Sequence, residues 1–336
     1  MAKKFKRRHR TITVHTEIPT SFWDRLSLIV GQSALAQVQC TFEQKPSTFR
    51  VNTIKSTTEE VEKTLTELGF QFKPVSWLDG AYILQNKTKR ELVDSSLYTE
   101  GKIYMQSLAS MVPPLMLDPQ PGEMVLDLTA APGSKTSQMA AMMKQQGELI
   151  ANDNSKIRFF KLKHNMELLG VADEKEGWSF TLKQEDGSDL CGDYIDTFDK
   201  ILVDAPCSAE ARFIESDPKT FGYWSEKKVK EMAMKQRKLL FSAWYALKPG
   251  GTLVYSTCTF APEENEVQIS RLLNRFPEEA QIEDISSVLP GLKHLPGLPA
   301  WKEKVFHPEI NKAIRIFPTD EIEGFFVAKI KKKALE

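Results

Sequence analysis

The sequence predicts an α/β protein, a doubly wound parallel sheet preceded by a smaller α+β region. Three observations carry this. From Glu123 onward, short apolar runs alternate with helical patterns, the mark of βαβ units around a sheet covered on both faces. Three of those runs end on Asp127, Asp153 and Asp204 and a fourth is soon followed by Asp186, so one edge of the sheet collects carboxylates. A length of 336 residues, 41% hydrophobic and 27% charged, supplies core for two domains or one large one.

In chain order, MAKKFKRRHR carries six Lys/Arg and no acid, and residues 1–16 read as a basic tail, a disordered solubilising segment or an arm that touches phosphate. Residues 17–118 form the α+β region. Phe22, Leu26, Ile29 and Val30 have helical spacing, and FRVNTI (Phe49–Ile54) reads as a strand. A helix spans Thr58–Leu68 with Gly69 as its stop, and another spans Gln106–Leu117, broken by Pro113-Pro114. Residues 119–333 carry the sheet. Its strands are Glu123–Leu128, Glu148–Asp153, Trp178–Lys183, Asp199–Asp204 and Thr252–Thr257. Helices run over Lys135–Lys144, Ser155–Leu168 and Glu226–Leu247, and one more starts near Pro262. The Pro- and Gly-rich Leu289–Pro299 reads as an irregular loop, and AIRIFP and GFFVAKI as two late strands joined by a turn.

No apolar run approaches the ~20 residues of a membrane span, and no signal segment opens the chain, so a cytoplasmic, monomeric protein is expected. Four cysteines without a CxxC pair or neighbouring His point away from metal. The formal net charge is zero, yet residues 1–120 hold 16 basic and 12 acidic groups, and residues 172–196 hold eight acids against two bases. Neutrality here sums unlike segments and does not exclude an RNA partner.

The turn Asp127-Leu-Thr-Ala-Ala-Pro-Gly-Ser-Lys-Thr136 lies where open α/β sheets bind ligands, at the carboxyl ends of the strands. Small residues let the backbone approach a ligand, but one glycine is neither a dinucleotide fingerprint nor a phosphate loop. Asp153 stands about 20 residues beyond the turn, where an acid bonds ribose hydroxyls. Asp186 is placed to reach the exocyclic amine of a base. A nucleoside without phosphate-binding glycines suggests S-adenosylmethionine.

Cys207, in Asp204-Ala-Pro-Cys-Ser208, and Cys258, in Ser256-Thr-Cys-Thr259, follow strands that are neighbours in such a sheet. A lone cysteine is ordinarily a small buried hydrophobe, and Cys40 and Cys191 read that way. Two at adjacent strand ends beside a nucleoside site suit one chemical problem. Carbon 5 of a pyrimidine is a poor nucleophile until a thiolate adds to C6 and makes the ring an enamine. Asp204 is placed to assist at N3, a second thiol to aid release, and the base must be single-stranded or flipped out. The residues themselves do not rank the two thiols.

DLTAAPGSKT, ANDNSKIR, DAPCS and LKPGGTLVYSTCTFAPEENE resemble, in order and spacing, the motifs of the RNA (cytosine-5)-methyltransferases of the Nop/Sun family, most closely the bacterial ribosomal-RNA members. FRVNTIKS, GKIYMQSLASM and GFFVAKIKK extend the likeness over residues 45–333. The resemblance implies a Rossmann-like methyltransferase sheet using S-adenosylmethionine. Ala130, Ala131, Pro132, Gly133, Ser134, Lys135 and Thr136 would wrap the methionine end. Asp153 would take the ribose, Asp186 the adenine side and Asp204 a place beside both cofactor and cytidine, with Arg158 also binding the cofactor and residues 17–118 binding RNA. It makes Cys258 the nucleophile and Cys207 the aid to release, on an RNA substrate, rRNA ahead of tRNA. An amino-methylating enzyme on this fold would want Pro-Pro-aromatic after Asp204, and a non-catalytic relative would have lost a thiol. Two departures stand out. The family's Gly-x-Gly after PCS is Ala209-Glu-Ala211 here, followed by Arg212 as a candidate phosphate contact, and Thr319 stands where relatives often have His. Phe221 and Trp224 suit base stacking and core packing equally.

Overall fold

The computed structural model describes residues 14–334, so most of the basic tail lies outside the described residues. The first helices are α1 (Thr20–Val30) and α2 (Gln32–Gln39). They precede β1 (Thr48–Val51), α3 (Thr58–Glu67), β2 (Phe72–Pro74), β3 (Ala81–Leu84), α4 (Lys89–Val93), α5 (Ser96–Thr99) and β4 (Ile103–Met105). The four strands form an antiparallel sheet in the order β2-β3-β1-β4, over a core of Phe49, Val61, Leu65, Tyr82 and Leu97. α3 begins where it does because Thr57 and Glu60 form a reciprocal capping box.

The larger unit runs α6 (Leu108–Leu117), β5 (Met124–Asp127), α7 (Ser134–Met142), β6 (Gly147–Asn152), α8 (Lys156–Leu168), β7 (Trp178–Lys183), α9 (Gly187–Gly192), β8 (Phe198–Asp204), α10 (Glu226–Ala246), β9 (Leu247–Thr257) and α11 (Glu266–Arg275). It closes with β10 (Ala280–Glu283), β11 (His294–Pro296), the small hairpin β12 (Ala300–Trp301) and β13 (Lys304–Val305), then β14 (Ile314–Ile316) and β15 (Phe325–Lys332). The sheet order is β11-β14-β15-β9-β8-β5-β6-β7. β9 through β7 are parallel and β15 lies antiparallel on β9. Successive side chains alternate between faces. Val125, Leu149, Leu202 and Val254 pack with Met111, Met139 and Leu162. Leu126, Ile150, Ile201 and Leu253 pack with Phe22, Leu240 and Leu272. Strand order reverses between β5 and β8, which opens a crevice at their carboxyl ends.

Two local expectations change, and one open choice is decided. α6 continues through Pro113 and Pro114 instead of breaking, and it packs on the large sheet. Pro114 has no N–H for the Ser110 carbonyl four residues back, and Gln106 Nε2 donates to that oxygen instead at 3.0 Å. The loop Leu289–Pro299 contains β11, an edge strand paired with β14, where proline is tolerated. Phe221 and Trp224 are core residues: Trp224 packs edge-on to Phe22, and Phe221 against Phe213.

Candidate active site

At the crevice, β5 delivers Asp127 and the turn that opens α7. Ala130 N donates to Asn152 O at 2.7 Å, and the Asn152 amide in turn bonds Leu128 O and Glu185. The turn is thereby stapled to the ends of β6 and β7. Gly133 has φ 103°, and a Cβ there would lie 2.5 Å from Met166 Cε, so only glycine fits. Ala131-Pro132 is a cis peptide. Thr136 Oγ1 donates to Asp127 Oδ2 at 2.7 Å, leaving Asp127 Oδ1 buried without a protein partner. Burial pushes that carboxyl up to about 7.

A cleft of about 540 Å³ opens here. Of the residues singled out in the sequence, Ala130, Ala131, Pro132, Ser134, Lys135, Arg158, Asp204 and Cys258 line it. Gly133, Thr136 and Cys207 are not among its lining residues. Asp153 is buried, accepts from Ser155 N at 2.9 Å and pairs with Arg158 at 3.2 Å. Arg158 also donates to Ala131 O. Asp186 is exposed and caps α9, accepting from Ser188 N at 2.9 Å. Asp204 accepts from Lys135 Nζ at 2.7 Å and from Ser256 Oγ at 2.8 Å, and Lys135 also donates to Ser110 Oγ.

The two thiol loops are locked together. Ser208 Oγ and Thr259 Oγ1 lie 2.8 Å apart, and Thr259 Oγ1 donates to Glu210 Oε2. Asn265 Nδ2 donates to Thr259 O, and Arg315 donates to Phe260 O while paired with the buried Glu266. This scaffold sets Cys207 Sγ 3.4 Å from Cys258 Sγ. The thiols are unequal. The hydrogen bond from Cys207 holds Cys258 below its ordinary 9.0, and the Arg212 guanidinium acts in the same direction. The bond to Cys258 pushes Cys207 well above its ordinary value, with burial and Glu264 adding to it. Of the pair Cys258 is the stronger acid and Cys207 the weaker, and Cys258 faces the cleft. Glu264 accepts from Ser208 N and Gln236 Nε2, and burial raises its carboxyl to about 8.

Several site residues escaped the sequence reading. Thr48, Tyr104 and Gln106 from the small sheet and its exit line the cleft. Arg50 is buried without a carboxylate, donating to Gln106 Oε1, Ser134 O and Ser137 Oγ. Its only signal was its place in FRVNTIKS.

The family model described as 16S rRNA methyltransferase RsmB/F matches residues 114–331, and that of the N-terminal domain of 16S rRNA methyltransferase RsmF matches residues 18–108. The chain belongs to the RsmB/F family. A tRNA (cytosine(49)-C(5))-methyltransferase from Pyrococcus abyssi is 40% identical over 292 residues, 86% of this chain and 88% of that protein. Ribosomal RNA small subunit methyltransferase F from Shewanella loihica is 35% identical over 301 residues, 88% of this chain and 58% of that protein. This RsmB/F chain thus spans little more than half of the latter relative. A methyltransferase homologue from Pyrococcus horikoshii superposes with TM-score 0.79 at 32% identity, covering 94% of this chain and 95% of that one. NSun6 from the same organism, solved with SFG, gives 0.76 at 23% identity over 94% and 99%, a likeness of fold alone. The fold is that of S-adenosylmethionine-dependent methyltransferases, with a separate N-terminal domain.

Both departures now have a structural account in this RsmB/F member. Ala209 adopts the left-handed conformation (φ 56°, ψ 32°) that the missing glycine would take more cheaply, and it leads into a single 3-10 turn, Glu210–Arg212. That turn buries Glu210 against Trp224 and presents Arg212 to the cleft. Thr319 Oγ1 accepts from Glu321 N and Ile322 N, and Thr319 O accepts from Lys45 Nζ at 2.6 Å, shaping the β14–β15 turn beside Glu323 in the cleft wall.

Proposed function

We propose that this chain methylates C5 of a cytidine in RNA through a transient bond between Cys258 Sγ and C6. The observation that carries the reading is the polarised thiol pair beside Asp204. The cleft fits the cofactor: Asp127 Oδ1 is a buried acceptor in want of a donor, suited to the methionine ammonium, and small residues 130–134 admit a ligand to the backbone. Lys135 and Thr136 belong to the same methionine end, Asp153 with Arg158 to the ribose side, and Asp186 to the adenine side. When bound, S-adenosylmethionine supplies an electrophilic methyl.

The Cys258 thiolate adds to C6, the C5=C6 bond opens, and the displaced electron density is met at N3 by a proton held between Lys135 and Asp204. C5 is then nucleophilic. After methyl transfer the C5 proton leaves to solvent, the C6–Sγ bond breaks to restore C5=C6, and the N3 proton returns to the Lys135–Asp204 pair. The Cys207 thiol stabilises the departing Cys258 thiolate through the same contact that polarised it. The flipped-out or unpaired base enters from the side lined by Arg212.

Ribosomal RNA is favoured by the two family models, both described for 16S rRNA methyltransferases, while 40% identity over 88% of a protein named for tRNA cytosine 49 supports tRNA as the second reading. Tritium release from C5-labelled RNA tests the reaction, and bisulfite sequencing of RNA from a deletion strain identifies the site. Cys207→Ala is expected to accumulate a covalent protein–RNA adduct and Cys258→Ala to form none. The reverse pattern overturns the assignment.

A further inference from the structure

A second cleft of about 560 Å³ lies between α10, α11 and the β12–β13 hairpin, outside the site described above. Its rim carries Lys230, Arg237, Arg271, Lys302 and Lys304, and among the described residues none of the five has an ion-pair partner within 4.0 Å. Its acids are Glu263 and Glu303. Glu263 is already spent, bidentate to Arg25 and accepting from Trp301 Nε1 at 3.0 Å, which leaves five cations facing Glu303. Between the cations the surface is apolar. Ala233 and Val267 line it, Met234 is 61% exposed beside them, and the buried Trp301 closes the floor with Arg25 and Lys302 over its ring. An apolar strip edged by unpaired cations suits a stacked base with phosphates on either side.

Its position is equally telling. Gln236, between Met234 and Arg237 on α10, donates to Pro206 O and to Glu264, the carboxylate that receives Ser208 N. The helix that lines the groove therefore also supports the Cys207 loop from its other face. We propose that the groove binds single-stranded RNA flanking the target nucleotide, phosphates against Lys230, Arg237, Arg271 and Lys304 and a base against Met234 and Val267. This rests on RNA being the substrate of the neighbouring cleft. A protein partner is disfavoured by the excess of unpaired charge around so small an apolar area.

The test combines Lys230→Gln, Arg237→Gln, Arg271→Gln and Lys304→Gln, all on exposed or half-exposed side chains. Fluorescence anisotropy compares an unstructured RNA of about 30 nucleotides holding one cytidine with its central segment of about 8, a length that fills the first cleft alone. Binding of the long RNA is expected to weaken about tenfold or more near 0.1 M salt, with the salt slope falling by about 0.7 per lost phosphate contact and the short RNA unaffected. Unchanged affinity and slope for the long RNA overturn the proposal and leave the groove to a protein. Equal losses for both lengths also overturn it, because the groove is then no separate subsite. S-adenosylmethionine calorimetry on the variant reports folding of the sheet. Tritium release by the unsubstituted chain on the long RNA tests the methyltransferase reading independently.

Discussion

Removing Cys207 should make Cys258 a weaker acid, and the size of that change follows from the site. The Cys207 thiol is the principal group holding the Cys258 thiolate, at 3.4 Å, with Arg212 acting in the same direction. A donor to a thiolate stabilises the charged form, and a thiol is a weak donor, so the contact contributes on the order of 1 kcal/mol. Cys207→Ala is therefore expected to raise the apparent pKa of Cys258 and move its alkylation profile to higher pH, and Arg212→Met to move it less. The sign is fixed by which form the donor stabilises: it favours the thiolate, so its loss favours the thiol. The assay is the pH dependence of iodoacetamide alkylation, in a background carrying Cys40→Ser and Cys191→Ala, since Cys40 is exposed and would react first. Mass spectrometry assigns the alkylated residue. An unchanged profile in Cys207→Ala, or a Cys207 in Cys258→Ala that alkylates at the lower pH, would refute the polarity described here.

Two further outcomes follow from the same loops. Ala209→Gly relieves a left-handed alanine at φ 56°, and after the greater unfolded-state freedom of glycine it should stabilise by about 0.5–1 kcal/mol, read as a melting temperature higher by ~2 °C. Glu264, raised to about 8 from an ordinary 4.5, binds its proton more tightly folded than unfolded, so stability is full below about 4.5 and falls as pH rises to about 8. Glu264→Gln keeps the neutral shape and should flatten that loss, worth about 3–5 kcal/mol at most, in urea titrations from pH 5 to 9. A parallel decline in both proteins would mean that Glu264 is already ionised.

The parallel strands were readable because each is a short apolar run bounded by turn chemistry, and β6 and β7 fall where the runs place them. The small sheet was not. β2 and β4 have three residues each, too few for a period of two to declare itself, and β4 is set by pairing with β1 across some fifty residues of chain. β9 begins at Leu247, ahead of Pro249, and the register shift between Phe198 and Lys200 accommodates that segment. At the site, the turn and both thiols were legible from spacing. Glu210, Glu264 and Glu266 were not, because acids are ordinarily exposed and nothing local to EARF or PEENE announces burial. Their burial depends on Trp224, Gln236 and Arg315, each supplied by a different element.

The small sheet also has a place in the site that an RNA-binding role alone does not explain. Gln106 accepts from Arg50 Nε at 2.7 Å and donates to Ser110 O and to Gln138 Oε1, while Arg50 reaches Ser134 O and Ser137 Oγ in the first turn of α7. One buried guanidinium thus ties β1 to the turn that shapes the cleft. Burial without a carboxylate lowers the Arg50 pKa to about 10, and its charge stays in place because neutral oxygens accept from its N–H groups on several sides. A cation of this kind, set against the start of α7, adds to the positive end of that helix and favours an anionic ligand group at residues 130–134. Movement of the small sheet, as on engaging RNA, would shift that charge along with Tyr104 and Gln106 in the cleft wall. Arg50→Gln is therefore expected to weaken S-adenosylmethionine binding in calorimetry, and an affinity equal to that of the unsubstituted chain would refute this role for the charge.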